Sequence, residues 1–182
     1  MMELSMHVLD VVENSTRAGA QRVSIAVDED RERDDLTIVI TDDGAGMDPE
    51  TLKKVLDPFY TAKTVRRVGL GLPMFSQAAK KADGSFSVES KAGEGTKVSA
   101  HFKHGHIDRQ PLGDMANTMV TLIAGHPDVD FVYTHQCRGD NYILDTVEIK
   151  RELEDVPINN TSILQFIEED IKKGLKEIGA DH

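Results

Sequence analysis

Residues 10–14 read Asp10-Val11-Val12-Glu13-Asn14, and the rest of the chain is organised around them. Apolar residues recur at helical spacing from Leu4 to Val12, which predicts one buried stripe on a short helix. Asp10 and Asn14 are four residues apart, so they lie one above the other on a neighbouring polar face. A carboxylate one turn from a carboxamide offers oxygen ligands and one proton acceptor, which suits Mg²⁺ and a phosphate-bound water. A solvated helix face would show the same pair.

A second decisive stretch is Asp42-Asp43-Gly44-Ala45-Gly46-Met47, which follows a predicted strand. Two glycines let the backbone approach a flat ligand closely and accept positive φ. An aspartate fixed beside them can accept a hydrogen bond from an exocyclic amine, such as that of adenine. An ordinary glycine turn after a strand has the same pattern, so the loop alone is compatible with both interpretations.

Composition limits the class of protein. The chain has 182 residues, of which 39% are hydrophobic, and this is typical of a globular protein with a buried core. Its formal net charge of -11 disfavours a nucleic-acid surface, because phosphate binding needs clustered Lys and Arg. Cys137 is the single cysteine, so no internal disulfide can form. With neither a leader nor a membrane-length apolar run in the sequence, we expect a soluble, cytoplasmic protein without nucleic-acid or membrane partners.

The order of predicted elements indicates an α+β fold. A helix over 3–18 ends at Gly19, strands cover 23–27 and 36–41, and the charged residues 28–35 predict a solvated hairpin loop. Asp48 is the predicted N-cap of a helix that reaches about residue 56. A further helix over 73–82 precedes two strands, near 86–88 and 98–102, which close this layer by about residue 104.

Positive charge and glycine concentrate between these elements. The run Asp57-Pro58-Phe59-Tyr60-Thr61-Ala62-Lys63 ends one helix, and Arg66 and Arg67 follow Lys63 closely. Directly after comes Gly69-Leu70-Gly71-Leu72, at the start of the next helix. Glycines there expose free N–H groups and the positive end of the helix dipole, which favours phosphate binding.

Taken together, five motifs in this order resemble the GHKL ATP-binding family of gyrase-type topoisomerases, heat-shock chaperone ATPases, histidine kinases and mismatch-repair ATPases. They are ENS-x3-GA on a helix, DxGxG after a strand, DPFYTAK, GLGL before a helix and GxGT before a strand, and they span roughly residues 3–103. The resemblance implies a Bergerat-type fold, a two-layer sandwich of a mixed sheet and helices, in a domain of residues 1–104.

The resemblance also implies site residues for ATP and Mg²⁺. Asn14 matches the asparagine that binds Mg²⁺, Asp10 the position of a water-activating glutamate, and Arg17 a phosphate-contacting basic position. The adenine side corresponds to Asp42 with Gly44, Gly46, Met47 and Thr96, and the phosphate side to Lys63, Gly69, Leu70, Gly71 and Leu72.

Two functions follow from this resemblance. One is an enzyme that hydrolyses ATP or phosphorylates a partner protein, and Asp10 favours it because a carboxylate can act as a base. The alternative is a non-catalytic ATP/ADP-sensing switch, in which a short lid over 60–68 gates a protein surface. Arg67 occupies the first glycine position of the kinase-type loop and favours the switch. Since no phosphoacceptor segment precedes the domain, we expect no histidine autokinase activity in cis, but a protein partner or a homodimer.

The remaining motifs favour structural roles. His7, near the polar face of the first helix, is expected to be a boundary residue between core and surface, with a position beside the phosphates as the alternative. The cluster His101, His104 and His106 is expected in a flexible polar linker, not a metal site. Residues 105–182 predict a small α-β-β-α unit without a recognised family or catalytic motif. Its predicted elements are a helix over 111–124, strands over 131–134 and 142–147 joined by a turn at 139–141, and a helix over 163–178 capped by Asn160 or Thr161.

Overall fold

The computed structural model describes residues 2–57, 59 and 70–180 of the chain. Both helices and strands occur throughout this part, and the helix that contains Asn14 comes first. In chain order the elements are α1 (Leu4–Arg17), β1 (Arg22–Asp30), β2 (Asp35–Asp42), α2 (Pro49–Val55), α3 (Gly71–Lys81), β3 (Ser85–Lys91), β4 (Gly95–Lys103), α4 (Met115–Gly125), β5 (Asp130–Cys137), β6 (Asp140–Asp145), α5 (Thr146–Leu153) and α6 (Thr161–Ile178).

The strands form one mixed sheet in the order β3-β4-β2-β1-β5-β6. Strand β1 pairs with β5 in parallel, with Arg22 opposite Asp130, whereas the other neighbours pair antiparallel. The end of β2 is opposite the start of β4, so that Asp42 pairs with Thr96. This arrangement confirms the α+β fold predicted from the sequence.

Helices cover one face of the sheet and make the predicted two-layer sandwich. In β1 the residues that point toward the helices are apolar, and Val23, Ile25 and Val27 are at most 2% exposed. In the helical layer, Val8 of α1 and Phe75 of α3 also have no exposed surface. Burying side chains of this size contributes about 1.5–3 kcal/mol each, so this layer fixes where α1 lies over the sheet.

The sequence predicted a solvated hairpin loop over 28–35, but only part of this charged stretch is a loop in the structure. Strand β1 continues to Asp30 and β2 begins at Asp35, so the connection is residues 31–34. Glu29 occupies the next inward position after Val27 and is 1% exposed. Its two carboxylate oxygens lie 2.7 Å from His135 Nε2 and 3.4 Å from His104 Nε2. These polar partners let a carboxylate continue the buried side of the strand.

The start of α1 is held by a segment from the second half of the chain. Its N-cap residue, Glu3, makes no capping bond with its side chain. Instead, the N–H groups of Leu4 and Ser5 donate to the carbonyl oxygens of Pro111 and Leu112, at 2.9 and 2.8 Å. The first turn of a helix has free N–H donors, and these carbonyls satisfy two of them.

The C-terminal part has one more helix than the sequence predicted. The strand predicted over 142–147 ends at Asp145, whose side chain accepts a hydrogen bond from Val147 N–H at 2.9 Å and so caps α5. The hairpin turn lies at Arg138 and Gly139, both at positive φ as a type I′ turn requires, not at the predicted 139–141. The predicted cap of α6 is confirmed for Asn160.

The division of the chain into residues 1–104 and 105–182 stays a prediction. Strands β5 and β6 of the second segment extend the same sheet beside β1. Within the described part, no helix is long and apolar enough to span a lipid bilayer.

Candidate functional site

A cavity of about 300 Å³ opens beside α1 and α2, at the ends of β2 and β4. Its walls are largely apolar, and its few polar groups come from α1, β2 and β4. The lining consists of Val11, Asn14, Ser15, Arg17, Ala18, Asp42, Gly46, Met47, Thr51, Val55, Leu72, Thr96 and Val98. Residues proposed from the sequence are among them: Asn14, Arg17, Asp42, Gly46, Met47, Leu72 and Thr96.

Asp42 is fixed in the cavity by two donors. The Ser15 hydroxyl donates to Oδ2 of Asp42 at 2.5 Å, and the Gly44 N–H donates to Oδ1 at 2.9 Å. Gly44 is buried against α1, since a Cβ on it would lie 3.1 Å from the Ala18 carbonyl oxygen. A carboxylate has about four lone-pair sites, so Asp42 can still accept from a ligand.

The neighbouring Asp43 has a different, structural role. Its Oδ1 accepts hydrogen bonds from the backbone N–H groups of Arg22, at 3.0 Å, and Gln21, at 2.8 Å. The hydrogen bond from Arg22 and then the one from Gln21 lower the pKa of Asp43, because both favour the charged carboxylate. Of the two adjacent aspartates, Asp42 therefore faces the cavity and Asp43 ties the loop to the start of β1.

Two glycine loops pack directly on each other below the cavity. Gly46 has a φ of +66°, and a Cβ there would lie 2.0 Å from the carbonyl oxygen of Lys91. Gly95 has a φ of +103°, and its Cβ would lie 2.0 Å from the carbonyl oxygen of Asp42. Both positions need glycine for backbone conformation and for space. The DxGxG and GxGT motifs are thus two sides of one contact.

Ser90 joins these two loops with its hydroxyl. The N–H of Met47 donates to Ser90 Oγ at 2.8 Å, and Ser90 Oγ donates to the carbonyl oxygen of Gly95 at 3.1 Å. Thr96 Oγ1 lies 2.8 Å from Ser90 Oγ. The hydroxyl of Ser90 therefore sets the positions of Met47 and Thr96, which both line the cavity.

Asn14 and Arg17 bring polar groups of α1 to the other side of the cavity. Both line it, and Arg17 Nη1 donates to Asn14 Oδ1 at 3.4 Å. They are three residues apart and so share a face of the helix. An amide oxygen next to a guanidinium can bind a cation and an anion side by side, as a metal–phosphate group requires.

Asp10 lies one turn before Asn14, where α1 meets the start of α3. A Cβ on Gly71 would lie 3.1 Å from the Cβ of Asp10, so a side chain at 71 would crowd the aspartate. Leu70, the N-cap residue of α3, is 49% exposed and makes no capping bond with its side chain. The first N–H groups of α3 thus carry their positive partial charge near an exposed carboxylate.

Lys63 and Gly69 lie outside the described residues, as do the predicted lid over 60–68 and Arg66 and Arg67. The phosphate side of the predicted site is therefore described for Leu70, Gly71 and Leu72 alone. Leu72 is buried and lines the cavity, and Gly71 is buried beside Asp10.

His7 is buried, so the expectation of a boundary residue near the polar face of α1 is wrong. It is 1% exposed, its ring stacks on Phe75 with 5.2 Å between centroids, and Nε2 lies 2.9 Å from Gln110 Oε1. Nδ1 has no hydrogen-bond partner among the described residues. Burial lowers the pKa of His7, against smaller opposing effects of Gln110 and Asp10, so the ring is held in its neutral form.

The histidines at 101, 104 and 106 do not form a flexible linker. His101 lies on β4 with Nδ1 3.0 Å from Thr37 Oγ1, and His104 contacts Glu29. His106 Nε2 lies 3.4 Å from the carboxylate of Asp83. Each histidine faces a different partner, and no group of His, Cys, Asp and Glu within the described ranges could hold a metal ion.

Sequence reasoning missed two hydroxyl groups of the site. Ser15 follows Asn14 in the ENS motif, and Ser90 precedes the GxGT motif by several residues. Ser15 could have been identified from the sequence, because it belongs to the ENS-x3-GA motif and lies on the side of the helix that carries Val11. Ser90 gave no signal, because its importance depends on the pairing of β3 with β4.

The chain belongs to the histidine kinase-, DNA gyrase B- and HSP90-like ATPase family, whose pattern matches residues 2–106. This confirms the GHKL resemblance, and it makes the cavity between α1 and the glycine loops the candidate nucleotide site.

Two relatives resemble this chain in sequence, and one solved structure resembles it in fold. Sporulation kinase C of Bacillus subtilis (strain 168) is 30% identical over 94 residues, which cover 52% of this chain and 22% of the kinase. Sensor histidine kinase YxdK of the same strain is 29% identical over 108 residues, which cover 54% of this chain and 32% of the kinase. The chain thus spans a third or less of these relatives. A crystal structure of the N-terminal domain of a DNA repair protein shares the fold, with a TM-score of 0.53 and 17% identity over 80% of this chain and 53% of that one.

Proposed function

We propose that this protein binds ATP with Mg²⁺ and hydrolyses it or transfers its γ-phosphoryl group to a partner protein. The family membership and the cavity beside α1 support nucleotide binding. The relatives are named as a sporulation kinase and a sensor histidine kinase, which supports a role in signalling.

The adenine side fits the chemistry of the cavity. Val11, Met47, Val55 and Val98 supply flat apolar contacts, and the volume of about 300 Å³ is at the small end of the range typical of ligand sites. Asp42, held by its two donors, is left as an acceptor that an exocyclic amine can satisfy. Base and sugar would fill this cavity, and the phosphates would extend toward α3.

The phosphate side fits Mg²⁺ and anionic oxygens. Asn14 would bind Mg²⁺ through Oδ1, a hard oxygen ligand of the kind this ion prefers. When bound, the ion supplies positive charge that offsets the negative charge of the phosphates. Arg17 adds a guanidinium beside Asn14, and the N–H groups at the start of α3 provide the positive end of a helix dipole.

One observation supports a catalytic role for Asp10: this residue lies against Gly71, one turn from Asn14. Its carboxylate would thus lie between the Asn14 amide, which we propose binds Mg²⁺, and the N–H groups that would face a terminal phosphate. Asp10 would accept the proton of an attacking water or of a partner hydroxyl, while the N–H groups of α3 take up charge on the transferred group. In this scheme the carboxylate acts as a base and the N–H groups bind negative charge, as their chemistry allows.

The test is the phosphate release rate of Asp10→Asn, measured beside ATP affinity. The substitution keeps the shape of the side chain and removes the basic oxygen. We expect turnover to fall by about 10²- to 10⁴-fold with little change in affinity, as for loss of general-base assistance. Asp10→Glu is the sharper variant: if the shorter aspartate limits reach, it hydrolyses ATP faster than the wild type. Asp108→Asn, an exposed carboxylate outside the cavity lining, serves as the matched control.

A second function, the ATP/ADP-sensing switch, is favoured by the exposure of Asp10. This residue is exposed and does not line the cavity that holds Asp42. As a switch, the protein would bind nucleotide and change a surface without turnover. Equally slow phosphate release by wild type and Asp10→Asn, with ATP protecting the bond after Lys63 from trypsin in both, would exclude hydrolysis by Asp10 and favour the switch.

A further inference from the structure

We infer that Ser90 determines base specificity, although it does not line the cavity itself. It fixes the hydroxyl of Thr96 as a hydrogen-bond acceptor toward the cavity, so that the site recognises a donor group on the base. The inference rests on the proposed binding of a nucleotide and concerns which bases that site accepts.

Ser90 Oγ makes three contacts, with Met47, Gly95 and Thr96. Met47 N–H can only donate to it, and the carbonyl oxygen of Gly95 can only accept from it. A hydroxyl has one hydrogen, and the contact with Gly95 is a hydrogen bond only when Ser90 directs that hydrogen to the Gly95 carbonyl oxygen. The contact with Thr96 Oγ1 at 2.8 Å is then a hydrogen bond only if Thr96 is the donor. This is the one assignment in which all three contacts are hydrogen bonds.

The consequence concerns the polarity of the cavity. Thr96 directs its hydrogen to Ser90, away from the cavity that its side chain lines, and keeps lone pairs for a ligand. Asp42, its partner across the strand pair, is an acceptor whose two oxygens already receive hydrogen bonds from Ser15 and Gly44. Both polar groups at this end of the cavity therefore accept, and the ligand group that meets them must donate.

An exocyclic amine satisfies this requirement and a carbonyl does not. Adenine presents an amine at the position where hypoxanthine presents a carbonyl oxygen, and the two bases have nearly the same shape. When hypoxanthine binds to a site made of acceptors, neither its carbonyl oxygen nor the acceptors of the site receive a hydrogen bond. This is costly for buried polar groups. Ser90 would thus set the preference for ATP over ITP through Thr96, acting as a positioning residue.

The experiment compares dissociation constants for ATP and ITP in the wild type and in Ser90→Ala. In the variant the Thr96 hydroxyl can rotate and donate to a carbonyl. We expect the wild type to prefer ATP by at least ~10-fold, and the variant to lose part of that preference, because Thr96 can then donate to the carbonyl of ITP while Asp42 still accepts from the amine of ATP. A purely structural role for Ser90 would weaken both nucleotides equally and leave the ratio unchanged. Ser87→Ala, on the same strand and exposed, is the control.

A double-variant cycle tests whether Thr96 carries the effect. In a Thr96→Val background, adding Ser90→Ala should leave the ATP/ITP ratio unchanged, since no hydroxyl remains to reorient. An unchanged ratio in Ser90→Ala alone, or an equal loss in both backgrounds, would overturn the inference. If Ser90→Ala does not fold, Ser90→Cys takes its place, because a thiol of similar size is a weak hydrogen-bonding group. Failure of the wild type to bind ATP would instead refute the proposed function.

Discussion

The hydroxyl of Ser15 donates to the carboxylate of Asp42 across 2.5 Å and joins the first helix to the end of β2. Ser15 is buried, and Asp42 is half-buried at the cavity wall. A hydrogen bond to a charged acceptor is worth about 1.5–3 kcal/mol, so it holds the carboxylate in one orientation. The residue that would recognise the base is therefore positioned before any ligand arrives.

We predict that adenine nucleotides bind at least ~10-fold more tightly than GTP and that Asp42→Asn weakens ATP most. The amide at position 42 would direct an N–H group at Ser15, at Gly44 or at the ligand, where each existing contact needs an acceptor. Leaving one such buried group unpaired costs about 1–3 kcal/mol. Calorimetric titration with ATP and GTP measures the effect, and equal affinity of the wild type for both would contradict this assignment.

We predict that Asn14→Ala abolishes the Mg²⁺-dependent part of ATP binding and leaves the fold intact. The variant removes the amide oxygen that would bind the ion, while Arg17 loses a weak contact at 3.4 Å. Titrations with ATP in Mg²⁺ and in EDTA measure this, and circular dichroism reports on the fold. The same loss in His106→Ala, with Asn14→Ala unaffected, would show that the metal binds elsewhere.

We predict that Gly46→Ala destabilises the protein more than Gly93→Ala. Both glycines have positive φ, +66° and +81°, so each substitution carries the strain of a left-handed residue, about 1–2 kcal/mol. At Gly93 a Cβ meets nothing within 4 Å, whereas at Gly46 it collides with the Lys91 backbone. The collision should add a further ~1–3 kcal/mol. Urea unfolding measures both, and equal losses would mean that the loops separate without cost.

We predict that His7→Phe flattens the fall in stability between about pH 7.5 and 5.5. The pKa of His7 is lowered in the folded state from its ordinary value of 6.5. The unfolded chain therefore takes up the proton first, and the stability that is present above pH 6.5 is lost as pH falls toward the lowered folded value. Phenylalanine cannot titrate and can still stack on Phe75. Parallel stability curves for wild type and variant, from unfolding at several pH values, would exclude His7 as a source of the dependence.

The parts of the fold that the sequence predicted well are those determined by local pattern. The stripe from Leu4 to Val12 and the glycines around Asp42 act within one element or one turn, so spacing alone predicts them. Asp48 is another example, since its side chain accepts from Thr51 N–H at 2.7 Å and caps α2 as predicted.

The errors come from contacts between distant residues. Glu29 was placed in a solvated loop because its neighbours are charged, but His135, 106 positions later, makes its burial possible. The α5 helix was missed because Val147 and Ile149 have strand propensity, whereas the capping carboxylate of Asp145 favours a helix. The direction in which the Thr96 hydroxyl donates depends on Ser90 of the paired strand, and no pattern in the sequence indicates this contact.

The parallel pairing of β1 with β5 affects how the protein is made. Arg22 is opposite Asp130, so β1 acquires its second neighbour only after residues 130–137 have left the ribosome. Contacts between residues so far apart in sequence slow folding, because a long loop must close before they form. Until then one edge of β1 stays open to other chains, and we expect the newly synthesised protein to be most prone to aggregation at that stage.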